Sequence, residues 1–204
     1  MKFKAEHEDE ELTEEDGQDM TTWGADAPPL MGLVGDLTET SSQNLAMALL
    51  AFNGGKILAT QEDLEDDSDI EFFISSGGGS VNDMLAVYDL LTLVKNNRDI
   101  ATFGYGKIYS AAVPLLAAGT NGKRYMSKHA RLMIHHCSAN TSGSHSEIKC
   151  GFEELQQLEE MMVKIIAHHS KLTPKKIYKL MSRNTDVYFS AEEALEMGIV
   201  DKII

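Results

Sequence analysis

Apolar residues recur along this chain in two alternating rhythms. Val81, Met84, Leu85, Tyr88, Leu91 and Val94 fall three or four apart, which predicts a helix over 81–94. Compact apolar runs at 70–74, 100–103, 124–126 and 132–136 predict short buried strands between the helices. An earlier strand is expected over 30–37. A helix follows over 41–52, with Ser41 or Ser42 as its cap and Leu45, Leu49, Leu50 and Phe52 along one side. A short apolar helix is expected over 111–118, closed by Gly119. The longest helix is expected over 147–171. Ile148, Phe152, Leu155, Leu158, Met162, Ile165 and Ile166 form its stripe, and Met161 and Val163 widen it. That width suits either a subunit interface or a helix buried in its own core. Thr173-Pro174 opens a further helix. Ser190 and Glu193 form a capping box, Gly198 ends that helix, and 199–201 reads as a last strand. Strands and helices alternate over 30–204, which predicts an α/β domain with largely parallel strands.

Residues 1–29 lack this rhythm and end in Pro28-Pro29, as a disordered tail and linker would. Residues 30–204 are expected to form one domain. The net charge of the 204 residues is −14, and nine acidic residues against two lysines in 1–20 supply −7 of it. This acidity argues against nucleic-acid binding, which needs a positive footprint. No apolar run reaches the roughly 20 residues of a membrane span, and the N-terminus is acidic, so no membrane association and a cytoplasmic location are expected. Cys137 and Cys150 are too few for a disulfide framework and read as reduced thiols.

Four segments carry candidate chemistry. Ser110 follows a strand and a turn with Gly104 and Gly106, and precedes an apolar helix. It is either a nucleophile at a helix N-terminus, whose N–H groups favour an oxyanion, or simply the N-cap. As N-cap it would make Pro114 the fourth helical residue, where no N–H is needed. Gly77-Gly78-Gly79 would let backbone N–H groups approach a ligand. No phosphate-loop pattern accompanies them. His135 and His136 sit at a strand end and face opposite ways, so one of them could meet Ser110. Asp186 precedes the strand-like Val187-Tyr188-Phe189 and could orient a base, or be a surface aspartate. No metal motif is present, and no metal or cofactor is expected.

In order and context these segments resemble the ClpP family, the proteolytic subunit of Clp protease. Ser75-Ser76-Gly77-Gly78-Gly79 resembles the family's Asn-Ser-Pro-Gly-Gly turn. Gly106-Lys107-Ile108-Tyr109-Ser110 resembles its Gly-x-x-x-Ser. Arg131-Leu132-Met133-Ile134-His135 resembles Arg-Val-Met-Ile-His, and Tyr188 to Asp201 resembles its Phe-Leu-Ser-Ala-x-Glu-Ala and Gly-Leu-Val-Asp segments. The resemblance implies a crotonase-like stack of ββα units with a protruding handle helix. It makes Ser110 the nucleophile, His135 the base and Asp186 its orienting acid. The N–H groups of Gly79 and Ala111 become the oxyanion hole. It further implies a homo-oligomer of two stacked heptameric rings, peptide or unfolded-protein substrates, and an AAA+ unfoldase partner. The chain departs from the family at Gly77 (proline there), Tyr109 (a small residue), Ala111 (methionine), His136-Cys137 (Gln-Pro) and in the acidic tail. Divergence of this kind resembles virus-encoded or accessory members.

The expected activity is therefore serine endopeptidase. The alternatives are a catalytically silent ring subunit, a crotonase-type acyl-CoA enzyme, which would need a nucleotide pocket and acid/base carboxylates near the hole and for which Asp83 and Glu71 are poor candidates, and a Ser/Lys peptidase using Lys107 or Lys123.

Overall fold

A computed structural model of the chain describes residues 29–64, 68–140, 142–181 and 185–204. Apart from Pro29, the expected acidic tail lies outside the described residues. The strands are β1 (Leu30–Val34), β2 (Ile70–Ser76), β3 (Ile100–Tyr109), β4 (Arg124–Met126), β5 (Arg131–Ile134), β6 (Val187–Phe189) and β7 (Lys202–Ile203). The helices are α1 (Glu39–Phe52), α2 (Val81–Val94), α3 (Ala112–Ala117), α4 (His145–His168), α5 (Pro174–Met181) and α6 (Ala191–Glu196). All strands share one sheet, in the order β1-β2-β3-β4-β7, with β5 on β3 and β6 on β5. Every pairing is parallel except β5 with β6. This is the mixed α/β architecture expected of the ClpP fold.

The pattern of β2 shows why the strands lie as they do. Ile70, Phe72, Ile74 and Ser76 are buried, while the residues between them are only partly covered. One face of the sheet thus carries the core, with α2 packed on it through Met84, Val87, Leu91 and Val94. α2 begins where Ser80 accepts the Asp83 N–H, and α1 where Thr38 and Ser41 cap each other reciprocally. The α1 start therefore lies before the Ser41 or Ser42 expected. Thr38 already had the required side chain, and Ser41 serves as its partner.

β3 is the element that builds the site. Its residues 102–104 pair with β4, and its residues 107–109 pair with β5. On its other side Ile74 pairs with Gly104 but Ser76 with Ile108, so three residues of β3 bulge opposite one of β2. Those three, Tyr105, Gly106 and Lys107, are exposed, and Gly106 has φ +62°. The bulge bends β3 away from β4 and delivers its last residues to β5.

α4 is buried only near its C-terminus, through Met162, Val163, Ile165 and Ile166. Its earlier turns protrude, with Ile148 43% and Phe152 56% exposed. It starts at His145 because Ser144 and Glu147 form a capping box. No helix among the described residues is long and apolar enough to cross a membrane.

The last strand falls at Lys202–Ile203 rather than at 199–201. Ile199 and Val200 are buried in the core, and Asp201 is taken up by Arg124. The Arg124 guanidinium lies 2.6 Å from the Asp201 carboxylate, and the Asp201 N–H donates to the Arg124 carbonyl. Beside this pair His169 caps the end of α4, its Nε2 2.9 Å from the Tyr88 hydroxyl. Burial, with the positive charges of Lys95, His168 and Arg124, pushes the His169 imidazole down to about 4. The unfolded imidazole takes its proton near 6.5, so stability from this site is full above 6.5 and drains away as pH falls to about 4. Melting temperatures measured from pH 7 to 4 should fall more steeply for the wild type than for His169→Gln, whose side chain does not titrate.

Candidate active site

The strand register brings the candidate residues together. On one side of β5, Tyr109 pairs with Met133, and the Ser110 N–H donates to the Met133 carbonyl at 2.9 Å. On the other side Ile134 stands opposite Val187. One step beyond each ladder lie Ser110, His135 and Asp186, at the same end of three adjoining strands. His135 Nε2 is 2.8 Å from Ser110 Oγ. Its Nδ1 is 3.5 Å from Asp186 Oδ1, too long for a closed hydrogen bond. The Tyr188 hydroxyl donates to Asp186 Oδ2 at 3.3 Å, and its ring meets Tyr109 edge-on at 5.5 Å. A cavity of about 250 Å³ opens beside His135 and Asp186, with His136, Met181 and Thr185 completing its wall.

Ser110 is not the helix cap. Ala111 holds that position in a helical conformation with no side-chain cap bond, and Pro114 becomes the third helical residue. Ser110 instead has φ +54°, the one positive φ at a described residue other than glycine. The left-handed backbone turns its side chain out of the helix and toward His135. An L-residue there costs roughly 1–2 kcal/mol, so the surrounding β3–β5 ladder and α3 must impose it.

The glycine loop closes over the same point. Gly78 has φ +91°, and a Cβ on it would lie 2.7 Å from Ser110 Cβ, 2.7 Å from the Tyr109 carbonyl oxygen and 3.1 Å from the Ala111 nitrogen. The loop therefore touches the Ser110–Ala111 peptide. Gly79 follows with φ +146°, bridged to Leu37. The Gly78 N–H is turned inward to Ser76 Oγ at 3.1 Å. Among the described residues no backbone bond outside the helices and strands uses the N–H of Gly79 or of Ala111. Two such donors beside a serine hydroxyl suit a developing oxyanion.

Of the two histidines, His135 meets Ser110, whereas His136 turns to α4, its Nδ1 3.0 Å from Glu159 Oε2. Two residues at the site escaped the sequence reading. Tyr188 lies two residues after Asp186, so strand periodicity puts both on one face and could have flagged it. Glu159 lies 23 residues beyond His136, and no local pattern points to it.

The sequence matches the Clp protease family over residues 37–204, a span that contains the glycine loop, Ser110, His135 and Asp186. The chain belongs to the Clp protease family. Its similarity to individual proteins agrees. It is 41% identical over 136 residues to ATP-dependent Clp protease proteolytic subunit 2 of Corynebacterium efficiens, covering 67% of this chain and 66% of that protein. It is 37% identical over 143 residues to the subunit 2 of Frankia casuarinae, covering 70% and 64%. It is 36% identical over 151 residues to that of Thermobifida fusca, covering 74% and 71%. The chain spans just under two thirds of the length of the first two. Within this Clp protease family member, the Gly77–Gly79 loop, the β3–α3 corner and the end of β5 meet at one point.

Proposed function

We propose that the chain is a serine endopeptidase of the ClpP type, cutting unfolded or precursor proteins inside a homo-oligomeric chamber. The observation that carries this reading is the 2.8 Å contact between Ser110 Oγ and His135 Nε2. With its proton on Nδ1, facing Asp186, the imidazole presents a free Nε2 lone pair to the serine hydroxyl. Ser110 attacks the scissile carbonyl as His135 takes its proton. The Gly79 and Ala111 N–H groups receive the charge that develops on the carbonyl oxygen. His135 then protonates the leaving amine, and water hydrolyses the acyl-enzyme by the same route. Asp186 stabilises the imidazolium that forms twice in the cycle. Its 3.5 Å separation from Nδ1 is of the kind that tightens when substrate binds. The chemistry needs peptide and water alone.

The exposed Ile148 and Phe152 on the protruding part of α4 support an assembly in which α4 helices join stacked rings. The relatives are named ATP-dependent, which supports an AAA+ unfoldase as the partner that delivers chains.

A fluorophosphonate probe tests the reading. Incubated with the assembled protein, it should label Ser110 alone, as located by peptide mass mapping. His135→Ala should abolish that labelling. Labelling at another residue, or none in a protein of oligomeric mass, overturns the proposal. Labelling that survives His135→Ala would move the base to a lysine.

A further inference from the structure

β5 ends at Ile134, so the ladder does not hold the backbone of His135, His136 and Cys137. A side chain from α4 does. Glu159 Oε2 accepts the Cys137 N–H at 2.9 Å and lies 3.0 Å from His136 Nδ1. The Glu159 side chain is only 17% exposed, and Cys137 is half-buried against the core. Burial, with the Glu159 charge beside it, pushes the Cys137 thiol up to about 11, so it stays an uncharged packing group. These contacts fall at the two positions where the chain carries His136-Cys137 in place of the family's Gln-Pro. A proline could not donate the N–H that Glu159 receives.

We propose that Glu159 is a positioning residue for His135, and that it acts through the Cys137 N–H and the His136 ring to fix the backbone carrying the base. The inference rests on the peptidase reading above. Hydrogen bonds to a carboxylate are roughly twice as strong as neutral ones, and here one oxygen serves two of them. This strut ties the segment that follows β5, and so the backbone of His135, to α4. A shift of about 1 Å in a reacting group can cost about a hundredfold in rate. Among the described residues Glu159 makes no hydrogen bond or ion pair to Ser110, His135 or Asp186, so its loss should be felt in turnover rather than in binding.

The test compares wild type, Glu159→Leu and Glu159→Gln on a fluorogenic peptide and in the rate of fluorophosphonate labelling. Glu159→Leu removes both bonds and should lower kcat by about tenfold to a hundredfold with KM unchanged. Labelling should slow in parallel. Glu159→Gln keeps an oxygen for the Cys137 N–H but loses the charge, and should fall about threefold to tenfold, again in kcat. Native mass and melting temperature identify any variant that fails to assemble. If Glu159→Leu does fail, Glu159→Gln decides alone. Wild-type kcat in an assembled Glu159→Gln, or a change confined to KM, overturns the proposal. A wild type that takes no label fails earlier, at the peptidase reading, and so is distinguishable.

Discussion

Ser110→Ala should remove the proposed peptide hydrolysis, with kcat falling by about six orders of magnitude, while the protein stays folded and keeps its native mass. The size follows from the unit in which the serine acts. Without the hydroxyl, His135 has no proton to take and no acyl-enzyme can form. What remains is the contribution of the oxyanion donors and of substrate binding, about a thousandfold to ten-thousandfold over water. Stability should not follow activity, because alanine and serine pay the same steric penalty at φ +54°. Ser110→Gly separates the two effects. It is equally inactive, but it relieves roughly 1–2 kcal/mol of left-handed strain and gives back part of that in unfolded-chain entropy. Its melting temperature should rise by a few degrees, since about 1 kcal/mol moves a domain of this size by about 2–4 °C. Peptidase assays and thermal melts of the three proteins check both halves. Retained turnover in Ser110→Ala contradicts the nucleophile assignment. A glycine variant that melts lower contradicts the claim that the fold holds this corner under strain.

That strain marks where sequence reading stops. The 3.6-residue pattern located α2 to the residue, because every inward position from Val81 to Val94 is occupied by an apolar side chain. The capping boxes at Ser144 and Ser190 are local signatures, and the second was read correctly. Strand ends were harder. β3 was expected to stop at 103, yet it runs to Tyr109 through Gly104 and Gly106. Glycines there look like a turn, but they serve a bulge, and only the neighbouring β2 register reveals which. The sequence leaves Ser110 open between cap and nucleophile, since a serine before an apolar helix fits both. Its backbone sign is a tertiary property. The choice of His135 over His136 came from the family resemblance, not from alternation. Asp186 would have passed for a surface aspartate, because nothing near it in sequence says that β6 pairs antiparallel with β5. Arg124–Asp201 and Glu159 with Cys137 are contacts across 77 and 22 residues, which no local pattern encodes.

Among the described glycines, Gly79→Ala should be the most damaging substitution. A Cβ built there lies 2.1 Å from the Leu37 carbonyl oxygen and 2.9 Å from both its carbonyl carbon and its nitrogen. All three are backbone atoms, so no rotamer change relieves the clash. The φ of +146° adds a conformation that L-residues avoid. Relief requires breaking the bridge in which the Leu37 N–H donates to Gly78 O at 2.7 Å and the Ser80 N–H donates to Leu37 O at 3.0 Å. The expected loss is about 3–5 kcal/mol of stability. Any molecules that do fold carry a displaced Gly79 N–H, at a further cost of about a hundredfold to a thousandfold in kcat. Gly77→Ala is the matched control two residues away. Its Cβ would meet only Asp36 Oδ1 at 3.3 Å and Lys107 Nζ at 3.6 Å, both ends of flexible side chains. Stability should stay within about 0.5 kcal/mol of wild type, in keeping with the proline that the family carries at this place. Urea unfolding and fluorophosphonate labelling of the two variants read both effects. A tolerated Gly79→Ala with normal labelling would mean that the loop does not hold its N–H against the Ser110 corner, and the oxyanion assignment would fall with it.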